Sequence, residues 1–99
     1  MRFLLDEARI RQLLEKLSGW ERVENGIKKK FKLKNFAVAL EFVNGIGKLA
    51  ESMDHHPDIF IHDYKFVAIT SSTHTVGGLT QMDFNLAQEI EKIWEEFYT

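Results

Sequence analysis

All four histidines of the chain and its single proline lie between residues 51 and 83. The same window contains the carboxylates Glu51, Asp54 and Asp83 and the hydroxyl pair Ser72-Thr73. Imidazole is the side chain whose ordinary pKa lies nearest neutral pH, so a group of histidines and carboxylates can donate and accept protons there. The window therefore predicts an acid–base site, and the rest of the chain is expected to be the scaffold that positions it.

Composition limits the class of protein. With 99 residues, 44% of them apolar and 28% charged, the chain predicts one ordered globular domain over residues 1–99. A net charge of −2 is not typical of a nucleic-acid binder, and the absence of cysteine excludes disulfide and thiol chemistry. The sequence shows neither a secretory leader nor an apolar run of the ~18 residues that cross a membrane. We therefore expect a soluble, cytoplasmic protein.

Three helices are predicted from capping residues and from apolar residues of helical period. Asp6 is a suitable N-cap for the first helix, and Gly19 is expected at the C′ position that ends it. Asn35 is expected to cap the second helix, from residue 36 to about residue 54, and Thr80 precedes the third, over residues 82–98. The second helix has apolar residues well around its circumference, so we expect it to contact both its own sheet and another subunit.

The first strand pair is predicted over residues 20–24 and 27–34. Asn25-Gly26 between them is a strong hairpin signal, because both residues tolerate positive φ. A two-residue turn there would place Glu21 opposite Lys30.

The second strand pair is predicted over residues 59–61 and from residue 64 to about residue 71, with a turn at His62-Asp63. Pro57 prevents the second helix from continuing, so the residues before it are expected between a helix and a strand. The element order is then α-β-β-α-β-β-α. It favours an α+β fold, a four-stranded antiparallel sheet with three helices packed on one face.

His55 and His74 are the predicted centre of the site, because one follows the middle helix and the other follows the last strand. Glu51 lies four residues before His55, so a continued helix would place both on one face, where the carboxylate can accept a hydrogen bond from the ring. A surface pair without a role accounts equally well for this spacing. Asp83 has a structural alternative as the acidic member of the box that begins the third helix, and Trp20 is most simply a core residue.

Metal and nucleophile chemistry fit the spacing less well. The adjacent side chains of His55 and His56 point apart, and neither His-x3-His spacing nor cysteine is present, so we expect no metal. The run 71–74 resembles a Ser/His nucleophile site but lacks the G-x-S-x-G elbow. Its hydroxyls suit hydrogen bonding to a flat polar heterocycle better. His62 is expected to face solvent in its turn.

The lysine-rich run 28–34 permits a nucleic-acid interpretation. In a strand, Lys30, Lys32 and Lys34 share one face while Phe31 and Leu33 share the other. This pattern is typical of a solvated strand face with a core side. With an acidic overall balance, we expect no nucleic-acid partner.

The window 51–83 is similar to the signature of the pterin-4a-carbinolamine dehydratase family, in the arrangement Glu51-x3-His55-His56-Pro57-x6-Tyr64-x9-His74-x8-Asp83. The likeness extends to Gly19-Trp20 after the first helix, to Phe36, and to the opening of the last helix at residues 83–87. The element order derived above is also the order of that family.

The resemblance implies dehydration of 4a-hydroxytetrahydropterin to quinonoid dihydropterin, in tetrahydrobiopterin recycling, without a metal or an organic cofactor. It gives the acid–base work to His55 and His74, in roles that the sequence leaves open. His56 would position the pterin and assist the catalysis, and Glu51 would orient the histidines. The resemblance also implies that Asp54, Ser72 and Thr73 contact the pterin. It implies supporting positions at Asp83, Trp20 and Pro57.

The resemblance further implies a homodimer or a homotetramer. Family members also serve as dimerisation cofactors of a homeodomain transcription factor, so a protein partner on the helix at residues 36–53 is the alternative function. A role in molybdopterin metabolism is another. The chain has Ile59 where family members often have an aromatic residue. Its run 61–63 is one residue longer than in the shortest family members. These departures leave the pocket wall and the accepted C6 substituent open.

Overall fold

The computed structural model describes residues 3–99, and it has three helices and four strands in the predicted order. They are α1 (Glu7–Glu15), β1 (Glu21–Val23), β2 (Gly26–Lys32), α2 (Phe36–Met53), β3 (Asp58–His62), β4 (Phe66–Ser71) and α3 (Gln81–Phe97). The predicted α+β fold is therefore confirmed. Among residues 3–99 there is no helix with the length and apolarity needed to cross a bilayer.

The four strands form one antiparallel sheet with the spatial order β1-β2-β4-β3. Alternate residues of β2 point to opposite faces, since Ile27 and Phe31 are buried whereas Lys28, Lys30 and Lys32 are exposed. The helices cover the face that carries Ile27 and Phe31. One core cluster there joins the buried strand residues to residues of all three helices. Lys28, Lys30 and Lys32 thus form the solvent side of the strand, as the alternation predicted, whereas Lys29 lies on the other face and pairs with Glu91 at 2.8 Å.

An aromatic cluster fixes α2 and α3 on the sheet. The ring centroid of Phe31 lies 5.0 Å from those of Phe42 and Trp94, and the centroid of Tyr98 lies 5.1 Å from that of Phe42. Burial of a large apolar side chain stabilises a fold by about 1.5–3 kcal/mol. This packing matters for the site, because α2 ends and α3 begins there.

All three predicted N-caps are confirmed. The side chains of Asp6 and Asn35 each accept a hydrogen bond from the backbone N–H three residues further on. Thr80 and Asp83 form a reciprocal capping box at the start of α3. Each cap satisfies backbone donors that the first turn of a helix leaves unpaired, which explains why these residues set the helix starts.

Gly19 does not end α1 as predicted. The helix ends at Glu15, and a further turn follows in which the N–H of Leu17 donates to the carbonyl of Leu14 at 3.0 Å. Gly19 has the expected positive φ, 83°. Its role is instead to direct the chain into the first hairpin.

The first hairpin turns one residue earlier than Asn25-Gly26. Val23 pairs with Gly26, so the turn is Glu24-Asn25. Glu21 consequently lies opposite Lys28 instead of Lys30. Because this changes the register by two residues, each side chain keeps its predicted face of the sheet.

Gly26 is required by a tertiary contact and not by the turn. A Cβ atom there would lie 2.7 Å from the carbonyl oxygen of Ser71 on β4. The sequence motif was therefore interpreted correctly as a hairpin, but its glycine serves the close approach of β4.

The second hairpin places His62 in a strand. His62 pairs with Phe66, and the turn contains Asp63 and Tyr64, whose φ values are 47° and 53°. The ring of His62 is stacked between those of Phe60 and Phe66, with centroid distances of 5.3 and 5.5 Å. Its side chain is only 23% exposed. The expectation of a solvent-facing turn histidine is wrong, because the flanking aromatic rings cover it.

Candidate active site

A cleft of about 210 Å³ lies where α2 and β4 end. Residues 54–56 line one side of it and residues 72–75 the other. The lining includes every residue that was predicted to contact the substrate, namely Asp54, His55, His56, Ser72, Thr73 and His74. Two segments that are distant in the chain therefore meet in one hollow, and both His55 and His74 face it.

The end of α2 separates the two neighbouring histidines. The helix ends as Asp54 takes the left-handed conformation, with φ of 50°, and Pro57 prevents any continuation. The chain turns here, so the next two side chains leave in different directions. The side chain of His55 is 3% exposed, whereas that of His56 is 58% exposed.

His55 contacts a fully buried carboxylate, Asp83, which accepts four hydrogen bonds. Its Oδ1 atom accepts from His55 Nε2 at 2.7 Å and from Ser71 Oγ at 2.6 Å. Its Oδ2 atom accepts from Thr73 Oγ1 at 2.8 Å and from the N–H of Thr80 at 2.9 Å. A carboxylate can accept all four, because its two oxygens together have about four lone-pair sites. The structural interpretation of Asp83 is confirmed, since its contact with Thr80 is part of the capping box of α3, and its role as a supporting residue of the site stays a prediction.

This network fixes the orientation of the His55 ring. Nε2 must carry a hydrogen to donate to the Asp83 carboxylate, so the neutral ring has its lone pair on Nδ1. Nδ1 is then the ring nitrogen that is left to accept a proton. A carboxylate behind an imidazole is the arrangement that orients a general base in other active sites.

His56 makes a second, exposed contact with a carboxylate. Its Nε2 lies 3.0 Å from Glu51 Oε2, and the side chain of Glu51 is 78% exposed. The predicted pairing of Glu51 with His55 is wrong, because α2 ends before His55 and the four-residue helical spacing is lost. Exposed pairs of this kind contribute about 0–1 kcal/mol.

His74 lies in a tight loop between β4 and α3. The N–H of Thr73 donates to the carbonyl of Gly78 at 2.8 Å, and the N–H of Gly77 donates to the carbonyl of Thr73 at 3.0 Å. Gly77 has φ of 71°, in the left-handed region that favours glycine. These bonds close the loop and hold the exposed side chain of His74 at the cleft.

Besides Glu51 and Asp83, which act through the histidines that they contact, three further residues named from the sequence lie outside the cleft lining. Trp20 is a core residue, as expected, and its buried Nε1 has no hydrogen-bond partner within residues 3–99. Pro57 acts on the backbone, by ending the helix. Tyr64 belongs to the signature, yet it lies in the β3–β4 turn, at the opposite end of β4 from the cleft.

Sequence reasoning did not single out Thr75 and Thr80 as parts of the site, and it considered Ser71 only as one hydroxyl of the run 71–74. Ser71 gave a signal, because it alternates with Val67 and Ile69 on the core side of β4. A hydroxyl on an apolar face needs a buried partner. Thr80 was recognised only as a cap, and Thr75, which lines the cleft, gave no comparable signal.

Metal binding finds no support in the described part of the chain. Residues 3–99 contain no group of three or more histidine, cysteine, aspartate or glutamate side chains arranged to hold an ion. The expectation of a site that works without metal or cofactor stays a prediction.

Comparison with known proteins identifies the family. The family model described as pterin 4 alpha carbinolamine dehydratase matches residues 4–93. A protein of Sulfolobus acidocaldarius named "Putative pterin-4-alpha-carbinolamine dehydratase" is 46% identical over 89 residues, which cover 90% of this chain and 97% of that protein. The chain belongs to this family. A protein of Roseiflexus castenholzii with the same name is 45% identical over 93 residues, which cover 94% of this chain and 99% of its own.

Two solved structures are similar to the chain, and the one that is more similar agrees with the family membership. A transcriptional coactivator/pterin dehydratase from Brucella melitensis superposes with a TM-score of 0.87 at 33% identity, covering 92% of this chain and 98% of that chain. A pterin dehydratase-like protein described as a RuBisCO assembly factor in the alpha-carboxysome shares the fold, with a TM-score of 0.60 at 20% identity over 75% of this chain and 84% of its own. As a member of the pterin carbinolamine dehydratase family, the chain is an enzyme of the hydro-lyase class.

Proposed function

We propose that the chain converts 4a-hydroxytetrahydropterin to quinonoid dihydropterin and water by histidine acid–base catalysis, without a metal or cofactor, in the recycling of tetrahydrobiopterin. The observation that carries the proposal is the meeting of His55 and His74 in one cleft, with His55 oriented by the buried Asp83 carboxylate. The volume of the cleft, about 210 Å³, suits a small bicyclic heterocycle.

The reaction requires two proton transfers. The C4a–O bond breaks and the oxygen leaves as water, once an acid has protonated it. A base removes the proton from N5, and the electron pair of that N–H bond forms the N5–C4a double bond. Each positioned acid or base contributes about 10²–10⁴ to the rate.

The hydrogen bonds favour one division of the roles. The Asp83 carboxylate lies against Nε2 of His55, where positive charge develops when Nδ1 takes up a proton. His55 is therefore assigned as the base for N5. His74, exposed at the loop, can recover its proton from water and is assigned as the acid for the hydroxyl.

The other cleft residues would hold the ring. Asp54, Ser72 and Thr73 line the cleft beside the histidines and offer polar side-chain or backbone groups to a heterocycle. His56 also lines it, and Glu51 contacts His56 at 3.0 Å. Glu51 thus orients His56 in this proposal, and its contribution to His55 is indirect.

The test measures the decay of freshly prepared 4a-hydroxytetrahydropterin with metal-free protein. We expect His55→Ala and His74→Ala each to lower the acceleration by about 10²–10⁴-fold while circular dichroism stays unchanged. His62→Ala is the matched control, because His62 lies outside the cleft, between Phe60 and Phe66. Wild-type rates in both cleft variants would reject the proposed roles.

A second candidate function, protein association, is favoured by the exposed apolar surface of α2 and α3. Phe36 is 50% exposed, Leu40 41% and Phe97 68%. We propose that this surface, defined by these three residues, joins copies of the chain into a dimer or tetramer, or binds another protein. Light scattering should show a smaller species for Leu40→Asp. An unchanged mass would contradict self-association through Leu40. Val43 is a poorer choice for substitution, because it packs against the core.

A further inference from the structure

A second hollow, of about 250 Å³, adjoins the cleft. It lies between the β1–β2 turn and the end of β4, and its lining residues are Val23, Glu24, Asn25, Gly26, Thr70 and Ser72. Ser72 also lines the cleft. One side chain therefore belongs to the walls of both hollows.

Close packing of the first hairpin on β4 forms this second hollow. At Gly26, an added Cβ would lie 2.7 Å from the carbonyl oxygen of Ser71 and 3.4 Å from Cβ of Ser72. Thr70 and Ser72 are two residues apart, or about 7 Å in an extended chain. A substituent of a few atoms that passes Ser72 would therefore reach the second hollow.

The chemistry of the substrate points in the same direction. In the proposed reaction, C4a and N5 lie between His55 and His74. C6 is bonded to N5, so the C6 substituent leaves the ring next to the reacting atoms. Ser72 precedes His74 by two residues and lines the same cleft, so a substituent directed along the cleft wall at Ser72 would enter the second hollow.

We infer that the second hollow binds the C6 substituent of the pterin and selects a neutral, hydroxylated chain over an anionic one. This inference rests on the proposed function. The hydroxyl of Thr70 and the amide of Asn25 can hydrogen-bond to a hydroxylated chain, and the carboxylate of Glu24 repels an anion. A methyl group at C6 would be too short to use these groups.

The test compares kcat/KM for three 4a-carbinolamines that carry methyl, dihydroxypropyl or carboxylate-ended chains at C6. Thr70→Val removes one hydroxyl and keeps the β-branched shape that suits a strand. We expect it to lower kcat/KM about 2- to 10-fold for the dihydroxypropyl substrate and to leave the methyl substrate unchanged. Glu24→Gln should raise kcat/KM up to about 5-fold for the carboxylate-ended substrate only.

Glu21→Gln is the matched control, because Glu21 lies on the same hairpin and outside the second hollow. Identical ratios among the three substrates in wild type, Thr70→Val and Glu24→Gln would overturn the inference. Calorimetric binding of the corresponding dihydropterins separates it from the proposed function. If the affinity depends on the C6 substituent and Thr70→Val reduces it, the subsite is supported even when no carbinolamine is dehydrated. Turnover with unchanged ratios among the three substrates supports the dehydratase and rejects the subsite.

Discussion

The neighbouring residues His55 and His56 each contact a carboxylate, yet the two pairs lie in opposite environments. The His55–Asp83 pair has exposed fractions of 3% and 0% and a distance of 2.7 Å, whereas the His56–Glu51 pair has 58% and 78% and a distance of 3.0 Å. Burial removes water as a competing partner, so the protein itself must satisfy the charge of Asp83. The comparison teaches that residue type alone does not set the energetic importance of such a pair.

The largest expected effect tests the buried side of this comparison. Asp83→Asn replaces the acceptor of four hydrogen bonds by a group that also carries an N–H donor. We expect the free energy of unfolding to fall by about 3–5 kcal/mol. Urea unfolding measures this loss. Dehydration should also slow by about 10²–10⁴-fold, because His55 loses its orientation. A stability within 1 kcal/mol of wild type would remove the distinction between the two pairs.

A smaller effect is expected for one donor of the network. Ser71→Ala removes one of the two hydrogen bonds to Asp83 Oδ1 and leaves the bond from His55. Because the acceptor is charged, the free energy of unfolding should fall by about 1.5–3 kcal/mol. Ser72→Ala is the control for stability, since the half-buried Ser72 lines the cleft and is not among the donors to Asp83. Equal losses of unfolding free energy in Ser71→Ala and Ser72→Ala would show that the hydrogen bond to Asp83 stabilises the fold no more than any serine hydroxyl at this site.

On the exposed side, Glu51→Gln should change the free energy of unfolding by less than about 1 kcal/mol, because both partners remain hydrated. The same urea series measures it, and raising the salt concentration should reduce even this difference. A loss as large as that of Asp83→Asn would contradict the role given to burial.

A third contact with a carboxylate extends the comparison to alkaline pH. Burial and the hydrogen bond from its hydroxyl to Glu41 raise the pKa of Tyr98 from 10.0 to about 12. The tyrosine therefore ionises at a lower pH in the unfolded chain than in the folded chain. Its contribution to the free energy of unfolding is fully present below pH 10 and is lost as the pH rises towards 12. The phenolate absorbance of wild type minus that of Tyr98→Phe should show the titration. A midpoint near 10 would mean that the contact leaves the phenol unaffected.

Local signals in the sequence predicted the scaffold well. Asp6, Asn35 and Thr80 begin their helices because a cap acts on the backbone N–H groups of the next turn. The alternation of lysine with Ile27 and Phe31 gave the faces of β2, because the side-chain period of a strand is two. Such signals act over a few residues, and the surrounding structure did not change them.

Signals that depend on distant contacts were less reliable. Asn25-Gly26 indicated a hairpin, but its register was shifted because Gly26 is needed against Ser71 of β4. His62 was expected in solvent and is instead stacked between Phe60 and Phe66. In the first case the partner lies on another strand, so no local pattern could have shown it. In the second case the hairpin brings Phe66 of β4 beside His62, which completes the stack that Phe60 begins on the same strand.

The sequence by itself determined the element order, the helix starts, the histidines that could perform acid–base chemistry, and six of the seven residues that line the cleft. The tertiary structure alone decided which carboxylates His55 and His56 contact. The left-handed turn at Asp54 directs His55 to the core and His56 to Glu51. The packing of α3 on β4 places Asp83 where His55 arrives. Spacing along the chain could not supply that meeting, because it joins residues 28 positions apart through a shared core.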